Sequence, residues 1–118
     1  MNIDNELVQL DRELLEGYVQ SIGQDVVSQM FALYVQQVQV YLNDIENSLL
    51  HDDAKLWQEH CHKMKGAAGS VGLKALHARL KEMEKTSGST VDKAHQLAEL
   101  NIHNKQAIAE FQDWLTGL

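Results

Sequence analysis

The chain has 118 residues, of which 44% are hydrophobic, and it contains no proline. This length predicts one compact domain over residues 1–118, and no apolar run approaches the ~20 residues that a membrane span needs. A net charge of −7 disfavours general nucleic-acid binding, and the single cysteine, which excludes an internal disulfide, indicates a reducing, cytoplasmic setting.

Five stretches have the periodicity of amphipathic helices, and none alternates as a strand would. They run roughly over residues 11–21, 26–50, 53–72, 73–87 and 89–115. Residues 1–10 form either a short leading helix or a loose arm. Short connections between four longer helices predict an all-α fold. It is an antiparallel four-helix bundle with an additional short N-terminal helix that caps one end.

The last of these stretches has the least regular pattern. Its apolar face is predicted to start at Val91 and to continue through Leu97 and Phe111. Around residues 101–104 the pattern weakens, which predicts either a bend or an exposed stretch there.

The third stretch carries a histidine that the helical periodicity turns toward solvent. One side of this helix is apolar and is predicted to be buried: Trp57, Cys61, Met64, Ala68 and Val71. At about 100° per residue, His62 lies roughly 145° from the centre of that stripe. His62 is therefore predicted to project into water, whereas His60 lies near the edge of the stripe. The remaining four histidines are predicted to be solvated.

Five residues surround His62 on this outer face: Gln58, Glu59, Lys65, Gly66 and Gly69. The last two have no side chain. A glycine inside a helix costs about 1 kcal/mol relative to alanine. The two glycines are predicted to leave a bare surface on which a second protein can approach His62. Alternatively, they permit close packing between two helices.

A metal site at His60 and His62 is disfavoured by the same geometry. Residues two apart on a helix diverge by about 200°, so the two rings cannot chelate one ion. Glu59 and His62 have the three-residue spacing of di-iron bundles, but both are predicted to face outward rather than into a bundle core. A metal-binding bundle is therefore a weaker interpretation.

The segment from His62 to Gly66 resembles the His-x-x-Lys-Gly signature of histidine-containing phosphotransfer (HPt) domains, and residues 67–73 extend the match. The resemblance implies a monomeric phosphocarrier rather than an enzyme. It would accept a phosphoryl group on His62 from the phospho-aspartate of a receiver domain and pass it to another receiver. The implied partners are response-regulator receivers and a hybrid sensor histidine kinase. The resemblance implies no cofactor for this chain, because the receiver would supply magnesium.

Two further residues receive roles through the resemblance. Lys65 would reach the phosphoryl oxygens, and for an exposed pair it would contribute about 1 kcal/mol. If residues 73–87 pack antiparallel to the His62 helix, Glu84 returns to the level of His62. Several family members carry Glu or Gln there, bonded to the second ring nitrogen. Lys81 and Lys85 are alternative neighbours, and Glu84 could also be an ordinary surface carboxylate.

A bundle of the same fold could instead bind a receiver or another signalling protein without any chemistry. This alternative function predicts binding that survives the replacement of His62.

Overall fold

The computed structural model describes residues 9–118. Within them the chain forms five helices: α1 (Arg12–Ile22), α2 (Gln24–Leu50), α3 (Ala54–Ser70), α4 (Lys74–Glu84) and α5 (Thr90–Thr116). The prediction of a leading helix or arm lies almost entirely outside the described residues. No strand occurs in this part of the chain, where the only β-type pairing is an isolated bridge between Leu10 and Leu73. The all-α bundle predicted from periodicity is confirmed.

Three helices begin at a residue whose side chain caps the first turn. Asp11 Oδ1 accepts from the Leu14 amide at 3.1 Å, and Asp53 Oδ1 accepts from the Leu56 amide at 3.0 Å. Ser89 caps α5 in the same way. Each cap satisfies a backbone donor that the first helical turn leaves without a partner. The start of α3, and with it the placement of His62, is fixed by the cap at Asp53.

The core lies between α2, α3, α4 and α5, and Leu15 of α1 is buried against it. α2 packs against α1, α3 and α5, and α4 closes the bundle by packing against α3 and α5. Phe31 of α2 stacks on Phe111 of α5 with ring centroids 4.3 Å apart. The stripe predicted on α3 is buried throughout, including Trp57, Cys61 and Met64.

The helix α5 agrees with the prediction only in part. It runs through residues 101–104 without a bend, and Asn101 and Ile102 are exposed, as the alternative prediction had it. Asn104 is buried, and its Oδ1 accepts from the Tyr34 hydroxyl at 2.8 Å. Val91, predicted to be buried, is 64% exposed, and Lys93 is buried instead. His103, predicted to be solvated, is half-buried, and this burial lowers its pKa. A polar residue can occupy a core position when the bundle provides a partner, and periodicity alone does not reveal that partner.

Candidate functional site

The site is built around His62, which α3 holds at the bundle surface. Its neighbours in sequence, Cys61 and Met64, are fully buried and fix the rotation of the helix. The His62 side chain is 68% exposed. The predicted direction of this ring is therefore confirmed, and an approaching molecule can reach it from solvent.

Glu84, the last residue of α4, meets the histidine ring. Glu84 Oε1 lies 2.5 Å from His62 Nδ1. An ionised carboxylate can only accept a hydrogen bond, so in the neutral imidazole Nδ1 carries the proton and Nε2 keeps its lone pair. The alternatives Lys81 and Lys85 are exposed, and the structure gives neither of them a contact with His62. Of the three neighbours considered from sequence, it is Glu84 that contacts the ring.

Lys65 does not stand free in solvent as the sequence predicted. Its Nζ donates to Glu84 Oε2 at 3.0 Å, and its side chain is only 17% exposed. The physical reason is its angle on α3, since Lys65 lies about 40° from the buried Cys61 and leans onto α4. The prediction that the Lys65 side chain is exposed was therefore wrong. Its ammonium group is bonded to the carboxylate that also contacts His62.

The carboxylate of Glu84 is ionised and held by both neighbours. Its hydrogen bond from Lys65 is the main cause that lowers its pKa. Partial burial acts in the opposite direction, and the bond with His62 adds to the lowering. A carboxylate at the C-terminus of a helix is also opposed by the helix dipole. Lys65 and His62 together offset that cost, so the placement of Glu84 depends on them.

A buried tryptophan fixes the level at which α4 passes α3. Trp57 Nε1 donates to the carbonyl of Met83 at 2.8 Å, one residue before Glu84. Lys93 Nζ lies over the Trp57 ring, 5.4 Å from its centroid. Sequence reasoning assigned Trp57 only to the core. The signal available was the indole N–H, which needs an acceptor when buried.

The two glycines next to His62 have different surroundings. A Cβ placed on Gly66 would meet nothing within 4 Å, so this position is open as predicted. A Cβ on Gly69 would come within 2.9 Å of His77 Nδ1. His77, predicted to be solvated, is half-buried, with Nδ1 3.2 Å from the Lys65 carbonyl. The prediction that Gly69 is bare was therefore wrong, because Gly69 makes room for α4, as the alternative of close packing between two helices has it. Its place on a docking surface stays a prediction.

One shallow surface groove contains His62, and a second begins at Gly66, one turn further along α3. The first is lined by Gln58, Glu59, His62, Lys63 and Glu84. The second is lined by Asp11, Gly66, Gly69, Ser70, Gly72, Lys74 and His77. Gln58 and Glu59, predicted to belong to a docking surface, are exposed on the rim of the first groove. A partner surface can approach the His62 ring along the first groove.

Other candidate chemistry near the site is not supported by the geometry. His60 faces Asp44 of α2 at 3.9 Å, whereas His62 faces Glu84 of α4, so the two rings point to different helices. Across residues 9–118, no group of three His, Cys, Asp or Glu side chains could hold a metal ion. Burial raises the pKa of the Cys61 thiol to about 12, and the nearby Glu84 charge adds to this. The thiol is therefore protonated and unreactive.

Comparison with known proteins gives a match to one family and similarity to a sensor protein of two Escherichia coli strains. The model of the Hpt domain family matches residues 29–116. The aerobic respiration control sensor protein ArcB of Escherichia coli O157:H7 is 39% identical over 67 residues, which is 57% of this chain and 9% of the relative. ArcB of Escherichia coli strain K12 is 37% identical over 67 residues. The matched segment is thus a small part of these sensor proteins.

Solved structures show the same bundle. The histidine-containing phosphotransfer domain of ArcB from Escherichia coli superimposes with a TM-score of 0.84 at 23% identity, covering 96% of this chain and 98% of that one. A solution structure of the same domain gives a TM-score of 0.83, with 98% and 95% covered. At this identity the likeness shows the fold. Separately, none of the helices between residues 9 and 118 is long and apolar enough to cross a membrane.

Proposed function

Because the chain belongs to the Hpt domain family, we propose that it is a phosphotransfer module of two-component signalling that carries the phosphoryl group on Nε2 of His62. The observation that supports this assignment most is the exposed ring whose Nδ1 is bonded to Glu84. That bond leaves Nε2 both accessible and unprotonated. The proposed donor is the aspartyl phosphate of one receiver domain, and the proposed acceptor is the aspartate of another.

The transfer step requires only groups that the site and a receiver provide. The Nε2 lone pair attacks phosphorus in line with the aspartyl oxygen, an N–P bond forms, and the P–O bond breaks. The aspartate leaves as a carboxylate with the bonding electron pair, and the proton on Nδ1 stays in place. A second receiver reverses the step. Catalysis here consists of alignment and charge stabilisation.

Glu84 and Lys65 support this step from behind the ring. Phosphorylation at Nε2 gives the ring a positive charge, which the Glu84 carboxylate beside Nδ1 stabilises. Lys65 keeps that carboxylate ionised and aimed at Nδ1. We therefore assign both as positioning residues. Any magnesium ion at the reacting phosphate is expected to come from the receiver.

The chain is proposed to take its phosphoryl group from a receiver and not from ATP. Residues 1–118 contain no Gly-x-x-x-x-Gly-Lys-Ser/Thr loop. The approach of a receiver is open because His62 is flanked by the uncovered Gly66 and by low groove walls. A folded partner can therefore bring its phosphoryl group within the ~3–3.5 Å that in-line attack requires.

The test mixes the protein with a panel of receiver domains that carry labelled phosphate on aspartate. The expected result is acid-labile, alkali-stable label on the wild-type chain and none on His62→Gln. Folding of the variant is checked by circular dichroism. Absence of label from every receiver, or label that persists in His62→Gln, would reject the proposal. Receiver binding without label would favour the alternative of a pure interaction module.

A further inference from the structure

The outward face of α2 carries three large aliphatic side chains in a line. Val26, Leu33 and Val40 are 41%, 64% and 48% exposed. They are seven residues apart, so they fall on one side of the helix, nearly two turns from one another. The buried side of α2, which includes Val27 and Phe31, faces the other way. Within residues 9–118, no other element covers this line.

Amide side chains occupy the position three residues after each aliphatic one. Gln29, Gln36 and Asn43 are all exposed. The order aliphatic, amide, aliphatic, amide follows the a and d positions of a heptad. The heptad spacing continues to Asn47 and Leu50, but there the order is reversed and the amide comes first; Leu50 is 72% exposed. A side-chain amide both donates and accepts, so it can pair with its own copy across a two-fold axis.

The same face is uncharged. Residues 26–43 contain no Asp, Glu, Lys, Arg or His, although the chain as a whole carries a net charge of −7. In a parallel two-fold pair of helices each a and d residue lies beside its own copy, so any charge there would meet a like charge. A partner of opposite charge would gain no steering from a neutral face. We propose that this seam, formed by Val26, Gln29, Leu33, Gln36, Val40 and Asn43, pairs two copies of the chain.

Pairing through α2 leaves the phosphoryl site open. On α3, the residue that approaches α2 is His60, which faces Asp44. His62 lies about 200° further around the same helix and contacts Glu84 of α4. The histidine therefore points away from the seam. Each copy in the pair presents its own ring and its own grooves to a receiver.

The seam predicts a weak, reversible dimer. Residues 26–43 of a helix span about 27 Å, and a single pair of helices of that length buries no more than about 1,000 Å² in total. That area is at the lower end for specific association. The proposal therefore keeps the predicted monomer for dilute protein and adds a dimer that forms as the concentration rises.

Sedimentation velocity on the whole chain, from about 10 μM to about 1 mM, tests the proposal. The average mass is expected to rise toward twice the monomer mass. Leu33→Glu is expected to weaken association by about 100-fold or more, since each copy loses a buried leucine and gains a charge. The control is Ile102→Glu on α5, which places the same charge at an aliphatic residue that is 57% exposed. This variant is expected to associate like wild type.

Salt provides a second readout. Two copies of charge −7 repel each other, so raising the ionic strength is expected to strengthen pairing through an uncharged seam. Wild type that stays monomeric at about 1 mM in high salt would overturn the proposal. So would Leu33→Glu that still associates, or Ile102→Glu that does not. Phosphotransfer is not measured in this experiment, so a failure of the proposed function would leave the dimer standing.

Discussion

Replacing each glycine beside His62 by alanine should change stability in opposite directions. At Gly66 the new methyl group meets open space, so the variant keeps only the gain in helix propensity, about 1 kcal/mol. At Gly69 the methyl would lie 2.9 Å from His77 Nδ1. The His77 ring must then move and lose its contact with the Lys65 carbonyl. Overpacking of this kind costs about 1–3 kcal/mol, which outweighs the propensity gain and leaves Gly69→Ala destabilised by up to about 2 kcal/mol.

Urea denaturation followed by circular dichroism measures both variants on one scale. The free energy of unfolding should rise for Gly66→Ala and fall for Gly69→Ala, with similar m-values. Phosphotransfer from a receiver adds a second comparison. Gly66→Ala should slow transfer while the fold is more stable, because the methyl narrows the approach to His62. Two variants of equal stability, or a more stable Gly69→Ala, would refute the account of how α3 and α4 pack.

Three substitutions behind the ring test how the histidine is held. Glu84→Gln should lower stability at pH 7. The pKa of Glu84 lies below its ordinary value of 4.5, so its ionised form stabilises the fold above that pH. This contribution disappears as the pH falls through the folded-state pKa of Glu84. The free energies of unfolding of wild type and Glu84→Gln, measured from pH 7 to pH 2, should therefore converge; a difference that stays constant would contradict this. Lys65→Met removes a charged hydrogen bond to Glu84, so it should lower the free energy of unfolding in urea by about 1–2 kcal/mol and slow transfer from a receiver. Unchanged stability would mean that this bond does not stabilise the fold. Trp57→Phe should cost about 1 kcal/mol or more, since the Met83 carbonyl loses its donor, and should also slow transfer to His62; unchanged transfer would mean that this bond does not set the level of Glu84.

The sequence was most informative where a single helix decides the outcome. The rotation of α3 follows from its apolar spacing, so the burial of Cys61 and the exposure of His62 could both be predicted. The return of Glu84 to the histidine was a matter of counting residues along two antiparallel helices. That Glu84 and not a neighbouring lysine contacts the ring could not be predicted, because it depends on how far α4 is shifted along α3.

The predictions that failed depend on what a second helix presents. Gly69 looked like bare surface because the position of the His77 ring cannot be read from α3 alone. Lys65 looked solvated because its carboxylate partner lies on another helix. In α5, Lys93 is buried where the pattern favoured Val91, since the Trp57 ring gives its ammonium group an aromatic face. Helical periodicity describes one element and does not predict the partners that make a polar residue tolerable inside.

The most direct measurement of the central claim is the position of the phosphate on the histidine ring. The ¹⁵N-labelled chain, phosphorylated by a phospho-receiver, is examined by long-range ¹H–¹⁵N and ³¹P NMR. We expect one phosphorylated residue, His62, with phosphorus on Nε2 and the proton retained on Nδ1 beside Glu84. Phosphate on Nδ1, or on any of the other five histidines, would contradict the account.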